Sequence, residues 1–173
     1  MKVVGLDLSL TSTGIAIADE VTNHSCYTLK PKQRGHERLA AILARIMVEA
    51  SDADLAVVEG PSYGSTGSAF HQLAGLWWLI TQNLWDLNIP YAEIAPGTLK
   101  KFATGSGTAG KDAMLLATAR RFPSFSGDNN AADALWLAAA GADHLGWPLV
   151  QLPESHRAAL TKVAWPQLIG DQT

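Results

Sequence analysis

The sequence predicts an α/β fold built on a mixed five-stranded β-sheet flanked by α-helices. Three observations predict it. Short apolar runs of strand character recur along the chain, and the first three follow one another closely enough to pair as hairpins. Longer segments with apolar residues at three- and four-residue steps separate the later runs and follow the last one. Two of the runs end in a lone carboxylate. Hairpins followed by alternating strand and helix imply antiparallel and parallel pairing in one sheet, with helices covering the parallel part.

Taken in order, residues 3–7 form a buried strand ending in Asp7, and the small-residue turn Ser9-Leu10-Thr11-Ser12-Thr13 leads into a second strand at 14–18. A third strand, weakly patterned, occupies 24–29 before Pro31 breaks it. Leu39, Ile42, Leu43, Ile46 and Met47 mark an amphipathic helix over 34–49, with Arg34, Arg38 and Arg45 on its wet side. The run Leu55-Ala56-Val57-Val58-Glu59 is a buried strand, stopped by Gly60-Pro61. Residues 62–68 are small and polar, a loop. The helix at 69–87 carries Leu73, Leu76, Trp77, Trp78, Leu79, Ile80, Leu84 and Trp85, too many apolar faces for one core contact. A last strand at 91–94 precedes a short helix at 96–102, a glycine-rich loop at 104–110 and helices at 111–122 and 129–144. Beyond Gly146 the chain is broken by Pro148, Pro153 and Pro166, with Ser155 placed to cap a short helix reaching Val163.

Composition sets the bounds. A chain of 173 residues, 47% hydrophobic and 17% charged, supports one well-packed core. It divides into a principal domain, 1–146, and a proline-interrupted extension, 147–173. No apolar stretch reaches the ~20 residues needed to span a bilayer, and the amino terminus lacks a secretion pattern, so an intracellular, cytoplasmic protein without a membrane is expected. Cys26 is the single cysteine, which leaves oxygen and nitrogen as the available metal ligands. The net charge of -3 argues against a nucleic-acid partner. Against that, ten of the thirteen Lys and Arg residues fall within 30–45 and 100–121, and local field outweighs total charge.

The chemistry points to three acids. Asp7 and Glu59 each close an apolar strand, and parallel neighbours with that pattern bring both carboxylates to the carboxyl edge of the sheet. Asp133 lies early in the apolar helix 129–144, three residues after Asn130 and so on the same face. Asp128 or Asn129 caps that helix. Each acid alone is ordinary, a cap or a surface charge. Together they interrupt apolar stretches where a lone charge is costly. Carboxylates converging at ~4 Å repel by about 4 kcal/mol per pair at an effective dielectric near 20, so a cation between them is expected. Oxygen ligands select Mg²⁺ or Mn²⁺. A pair of such ions bridged by Asp7 and anchored by Glu59 and Asp133 can activate water for in-line attack on a phosphodiester.

The stretches Gly5-Leu6-Asp7-Leu8-Ser9-Leu10-Thr11-Ser12-Thr13-Gly14, Val57-Val58-Glu59 and Asn130-Ala131-Ala132-Asp133-Ala134-Leu135 resemble, in order and spacing, the RuvC family of Holliday junction resolvases in the RNase H-like superfamily. The resemblance covers roughly residues 3–144. It implies an RNase H-like fold and a homodimeric endonuclease that cuts four-way DNA junctions by paired symmetric nicks with two divalent ions. Asp7, Glu59 and Asp133 match the family's metal-binding acids. Asn130 stands where members commonly carry Asp and sometimes His; its amide oxygen can coordinate but brings less charge, and Asp128 is the alternative fourth ligand. Lys101 and Lys111 fall near the basic residues used at the scissile phosphate, Lys111 as a catalytic group. With Lys100 and Tyr63 they form the expected DNA-binding set, Tyr63 as an aromatic wedge that stacks on unpaired bases. The tryptophan-rich helix 69–87 matches the dimer helix. In a monomer it would instead be a core helix with Trp77 and Trp85 on the sheet and Trp78 at the rim.

Two other readings compete. The same substrate class in a broader sense gives a nuclease for flaps or replication forks. The Asp7 to Gly14 turn also resembles the phosphate loop of actin-like and sugar-kinase ATPases, although one lobe and no second glycine-rich phosphate motif speak against it. A junction-binding module without catalysis is the non-enzymatic option.

Overall fold

In a computed structural model the chain is described over residues 1–21, 23–61 and 68–167. Its elements are β1 (Lys2–Asp7), β2 (Thr13–Asp19), β3 (Asn23–Leu29), α1 (Gly35–Ala50), β4 (Leu55–Glu59), α2 (Ser68–Asp86), β5 (Tyr91–Ile94), α3 (Pro96–Thr104), α4 (Lys111–Arg121), α5 (Asn129–His144) and α6 (Glu154–Arg157), followed by a 3₁₀ turn over Ala158–Lys162. The five strands form one sheet in the order β3-β2-β1-β4-β5. The three amino-terminal strands pair antiparallel, and β4 and β5 join parallel to β1. This is the mixed five-stranded sheet expected from the sequence, in an RNase H-like arrangement.

Alternation along the strands splits the interior into two layers. Val3, Ala16 and Val57 face α3, α4 and α5, whereas Val4, Leu6, Ile15 and Val58 face Ile42 and Ile46 of α1 and Leu76, Ile80 and Leu84 of α2. In the first layer Trp136 is fully buried, meets Phe102 and Phe122 edge-on, and donates its indole N–H to Thr118 Oγ1 at 2.9 Å. That bond satisfies the one polar atom of the largest core side chain and fixes α4 against α5.

The contact of α5 with the sheet is unusually close, and glycine makes it possible. A Cβ on Gly5 would stand 2.1 Å from the Ala134 carbonyl oxygen, and one on Gly14 would stand 2.0 Å from that of Asn130. Alanine-rich α5 therefore lies with its backbone directly on β1 and β2.

The carboxyl-terminal segment folds back onto the same layer. Ala159 and Leu160 are buried in it. His156 Nδ1 is 3.0 Å from the Phe102 carbonyl, Arg157 Nε reaches both Asp143 carboxylate oxygens at 2.9 and 3.1 Å, and the His144 ring stacks on Trp165 at 4.1 Å. Ser155 does not cap the short helix here: α6 starts after Pro153 without any side-chain cap, its entry set by that proline's fixed φ. No helix among the described residues is long and apolar enough to cross a membrane.

Candidate active site

The sheet register brings the acids together. Asp7 pairs with Gly14, Leu6 pairs with Val58, and β1 and β4 run parallel, so Asp7 and Glu59 finish neighbouring strands at the same edge. Helix α5 begins over that edge because Gly14 admits the Asn130 carbonyl, and Asp133 follows on the next turn.

The electrostatics of the three acids are those of a crowded, poorly solvated cluster. Asp7 is only 9% exposed. Burial and then the charge of Asp133 push its carboxyl up to about 7, while a hydrogen bond with Glu59 and the charge of Lys111 pull the other way. Glu59 is pushed up to about 8 by burial, then by Asp7 and Asp133, and is eased by Lys100. Asp133 rises to about 6 through burial, opposed by Lys100 and Lys111. Burial raises all three acids, and for Asp7 and Glu59 the neighbouring carboxylates add to it, as expected where several carboxylates share a poorly solvated site.

Two lysines face the acids, and they refine the expected basic set. Lys111 opens α4 and its charge reaches Asp7 and Asp133. From α3 it is partly buried Lys100 whose charge reaches Glu59 and Asp133; Lys101 is exposed on the outer face. The helical period carries the reason. Leu99, Phe102 and Ala103 face the core, which leaves Lys100 at the flank and turns Lys101 outward.

Asp128 is the cap of α5, accepting from the Ala131 N–H at 3.2 Å. Its carboxylate also accepts from Thr28 Oγ1 and lies 3.3 Å from Lys30 Nζ, and these partners hold it below the usual carboxylate range, the Thr28 bond most. Asp128 reaches the site through its charge, which raises Asp7. Asn130 is partly buried one turn before Asp133. Tyr63 lies outside the described residues.

Among the described residues no set of three or more His, Cys, Asp or Glu side chains stands ready-made to hold a metal ion. The donor chemistry nevertheless fits a hard divalent cation. Asp7 and Glu59 are interacting neighbours, and the repulsion that raises both of them is what a cation would relieve.

The turn after Asp7 is internally satisfied. The Thr11 and Ser12 amides each donate to Ser9 Oγ at 3.3 Å, and Thr13 Oγ1 donates to the Ser9 carbonyl at 2.5 Å. On α2, Trp78 and Trp85 are 66% and 70% exposed, so Trp85 does not pack on the sheet as a monomeric core helix would require. The period explains it: Leu76, Ile80 and Leu84 take the inward face and turn positions 78 and 85 outward.

Fold and acid placement define an RNase H-like α/β protein with a carboxylate cluster at the carboxyl edge of its sheet. Within that class, the solved structures similar to it include resolvases. The Thermus thermophilus RuvC structure aligns with a TM-score of 0.65 at 19% identity, covering 84% of this chain and 97% of that one. T. thermophilus RuvC in complex with Holliday junction substrate gives 0.64 at 19% identity over 85% and 97%. The fowlpox virus Holliday junction resolvase gives 0.52 at 11% identity over 83% and 99%. At these identities the likeness establishes the fold. No protein-family model matches the chain, and no curated protein does.

Proposed function

We propose that this chain is a metal-dependent endonuclease that resolves four-way DNA junctions by paired symmetric nicks. The observation that carries the reading is the meeting of Asp7, Glu59 and Asp133, from three separate elements, at one sheet edge faced by Lys100 and Lys111. The fold it shares with RuvC and the fowlpox virus resolvase supports the choice of substrate.

Asp7, Glu59 and Asp133 would hold Mg²⁺ or Mn²⁺, two ions in the full site, with the Asn130 amide oxygen as a fourth protein ligand. Bound there, the ions supply charge neutralisation and the activation of water for in-line displacement at phosphorus. The chain's own part is to keep acidic oxygens clustered and partly dry, and to place cations beside them. Lys111 and Lys100 stabilise charge that builds on the scissile phosphate. Lys101, on the outer face, contacts the backbone farther along the strand, and Tyr63 stacks on bases opened at the crossover. The exposed Trp78 and Trp85 face pairs α2 with its copy in a homodimer, which sets two sites for two nicks. Residues 1–146 form the nuclease domain and 147–173 its extension, acting in the cytoplasm.

The self-satisfied Ser9 to Thr13 turn disfavours the ATPase reading, because the Ser9, Thr11 and Ser12 amides are already committed to side-chain oxygens. Incubation with a four-way junction, a flap and a linear duplex, in Mg²⁺ and in chelator, tests the proposal. Symmetric nicks confined to the junction and to Mg²⁺ are expected. Preferential cutting of the flap would move the assignment to other branched DNA, and no cutting of any substrate would end it.

A further inference from the structure

Strand β3 ends at the same edge as the acids. It runs antiparallel to β2, hence parallel to β1, and the register aligns Thr28 with Gly14 and Gly14 with Asp7. Residue 30 therefore emerges beside the acidic site, two strands or about 10 Å from Asp7, a distance of roughly three base-pair steps along a duplex. Lysines 100 and 111 belong to α3 and α4, which cover the sheet face on which α5 lies, whereas the segment after β3 leads into α1 on the opposite face.

From that point the chain reads Lys30-Pro31-Lys32-Gln33-Arg34-Gly35-His36-Glu37-Arg38, four cations against one carboxylate in a protein whose net charge is -3. Three cations outside this run are paired, Lys2 with Asp52, Arg45 with Glu49 and Arg157 with Asp143. Lys30 leans on the cap residue Asp128 at 3.3 Å. Among the described residues Lys32, Arg34 and Arg38 pair with no acid, although Glu37 sits between them. Arg38 spends its Nε on the Gln33 carbonyl at 2.8 Å, which folds the connector back on the start of α1. His36 and Arg38 line a cleft of about 290 Å³ with Gln72 of α2 and with Leu10, three residues past Asp7. Unmatched positive charge of one sign, held on an ordered connector beside an acidic centre, is complementary to a polyanion entering that centre.

We infer that Lys32 and Arg34, with Arg38 behind them, bind the sugar-phosphate backbone of the DNA on the β3 side of the acids, opposite Lys100 and Lys111. The inference rests on the nuclease reading of the site. The substrate strand then passes the carboxyl edge of the sheet between cations of its two faces, with the scissile phosphate at the acids that end β1 and β4.

The test is the salt dependence of junction binding in chelator, read by fluorescence anisotropy on the parent, K32A/R34A and K162A, the last an exposed cation on the carboxyl-terminal 3₁₀ turn. Each phosphate contact contributes about 0.9 to the slope of log affinity against log salt. K32A/R34A is expected to lower that slope by about 1.8, so that between 50 and 200 mM salt its affinity falls about 12-fold less than the parent's. K162A is expected to keep the parental slope. A slope in K32A/R34A equal to that of K162A overturns the inference, as does a parent that binds no DNA. Nicking in Mg²⁺ is scored in parallel. A parent that nicks while the slope is unmoved sinks this inference alone; a moved slope without nicking sinks the nuclease reading alone.

Discussion

Gly14→Ala tests how the acidic site is assembled. The new Cβ would lie 2.0 Å from the Asn130 carbonyl oxygen and 2.6 Å from its carbon, where ordinary contact begins at 3.4 Å. Both atoms are backbone, so no side chain can swing aside. The first turns of α5 must retreat by about 1.4 Å, and Asp133 retreats with them. Overpacking of this kind costs about 1–3 kcal/mol of stability. A misplacement of about 1 Å at a reacting centre lowers a rate by about 100-fold. Single-turnover nicking of a four-way junction in Mg²⁺, with urea unfolding on the same preparations, reads both. Gly97→Ala is the control, since its Cβ meets nothing nearer than the Gly107 carbonyl at 3.6 Å. A G14A variant that nicks at the parental rate and unfolds at the parental urea concentration would refute the reasoning: either α5 is not seated on Gly14, or Asp133 does not serve the reaction.

The remaining predictions concern charge, backbone strain and assembly. Because the folded carboxyls of Asp7, Glu59 and Asp133 lie near 7, 8 and 6, above their ordinary values, the metal-free protein binds more protons folded than unfolded. Their contribution to stability is full below about pH 4 and is lost as pH rises through 6 to 8. Melting in chelator should therefore show Asp7→Asn gaining on the parent as pH rises from 5 to 8, with Mg²⁺ closing the gap; a pH-independent difference would count against the buried cluster. Asp7→Asn should also nick at background while still binding the junction in chelator. Gly105 has φ +85° and its Cβ would meet His156 Nε2 at 2.7 Å, so Gly105→Ala should lose about 1–2 kcal/mol in urea unfolding, much of it persisting in a His156→Ala background where only the backbone strain remains. W78E/W85E should sediment as a monomer under conditions where the parent is a dimer, and paired nicks should become single ones; an unchanged sedimentation profile would remove α2 as the dimer helix.

The sequence was most informative where one local signal decided the outcome. The run ending at Glu59 and the run 91–94 match β4 and β5, and the apolar period of 129–144 matches α5, because β4 and α5 are buried nearly all round and β5 buries one face, Ala92 and Ile94. The three acids were legible as interruptions of apolar stretches. What was not legible depends on partners distant in the chain. The seat of α5 on Gly5 and Gly14 is a tertiary contact, although the small residues at 5, 14, 134, 138 and 141 were its trace. The choice of Lys100 over Lys101 needed the core face of α3, which Leu99, Phe102 and Ala103 encode. Asp128 could be read as a cap, but its bond to Thr28, a hundred residues earlier, could not.

The central claim is that Asp7, Glu59 and Asp133 together hold divalent cations at the carboxyl edge of the sheet. Anomalous scattering from crystals grown with Mn²⁺ measures this most directly. The account predicts manganese bound by oxygens of all three carboxyl groups, with Asp7 touching every ion. Manganese bound elsewhere with these side chains still hydrogen-bonded to one another, or crystals in which the three groups point apart, would contradict it.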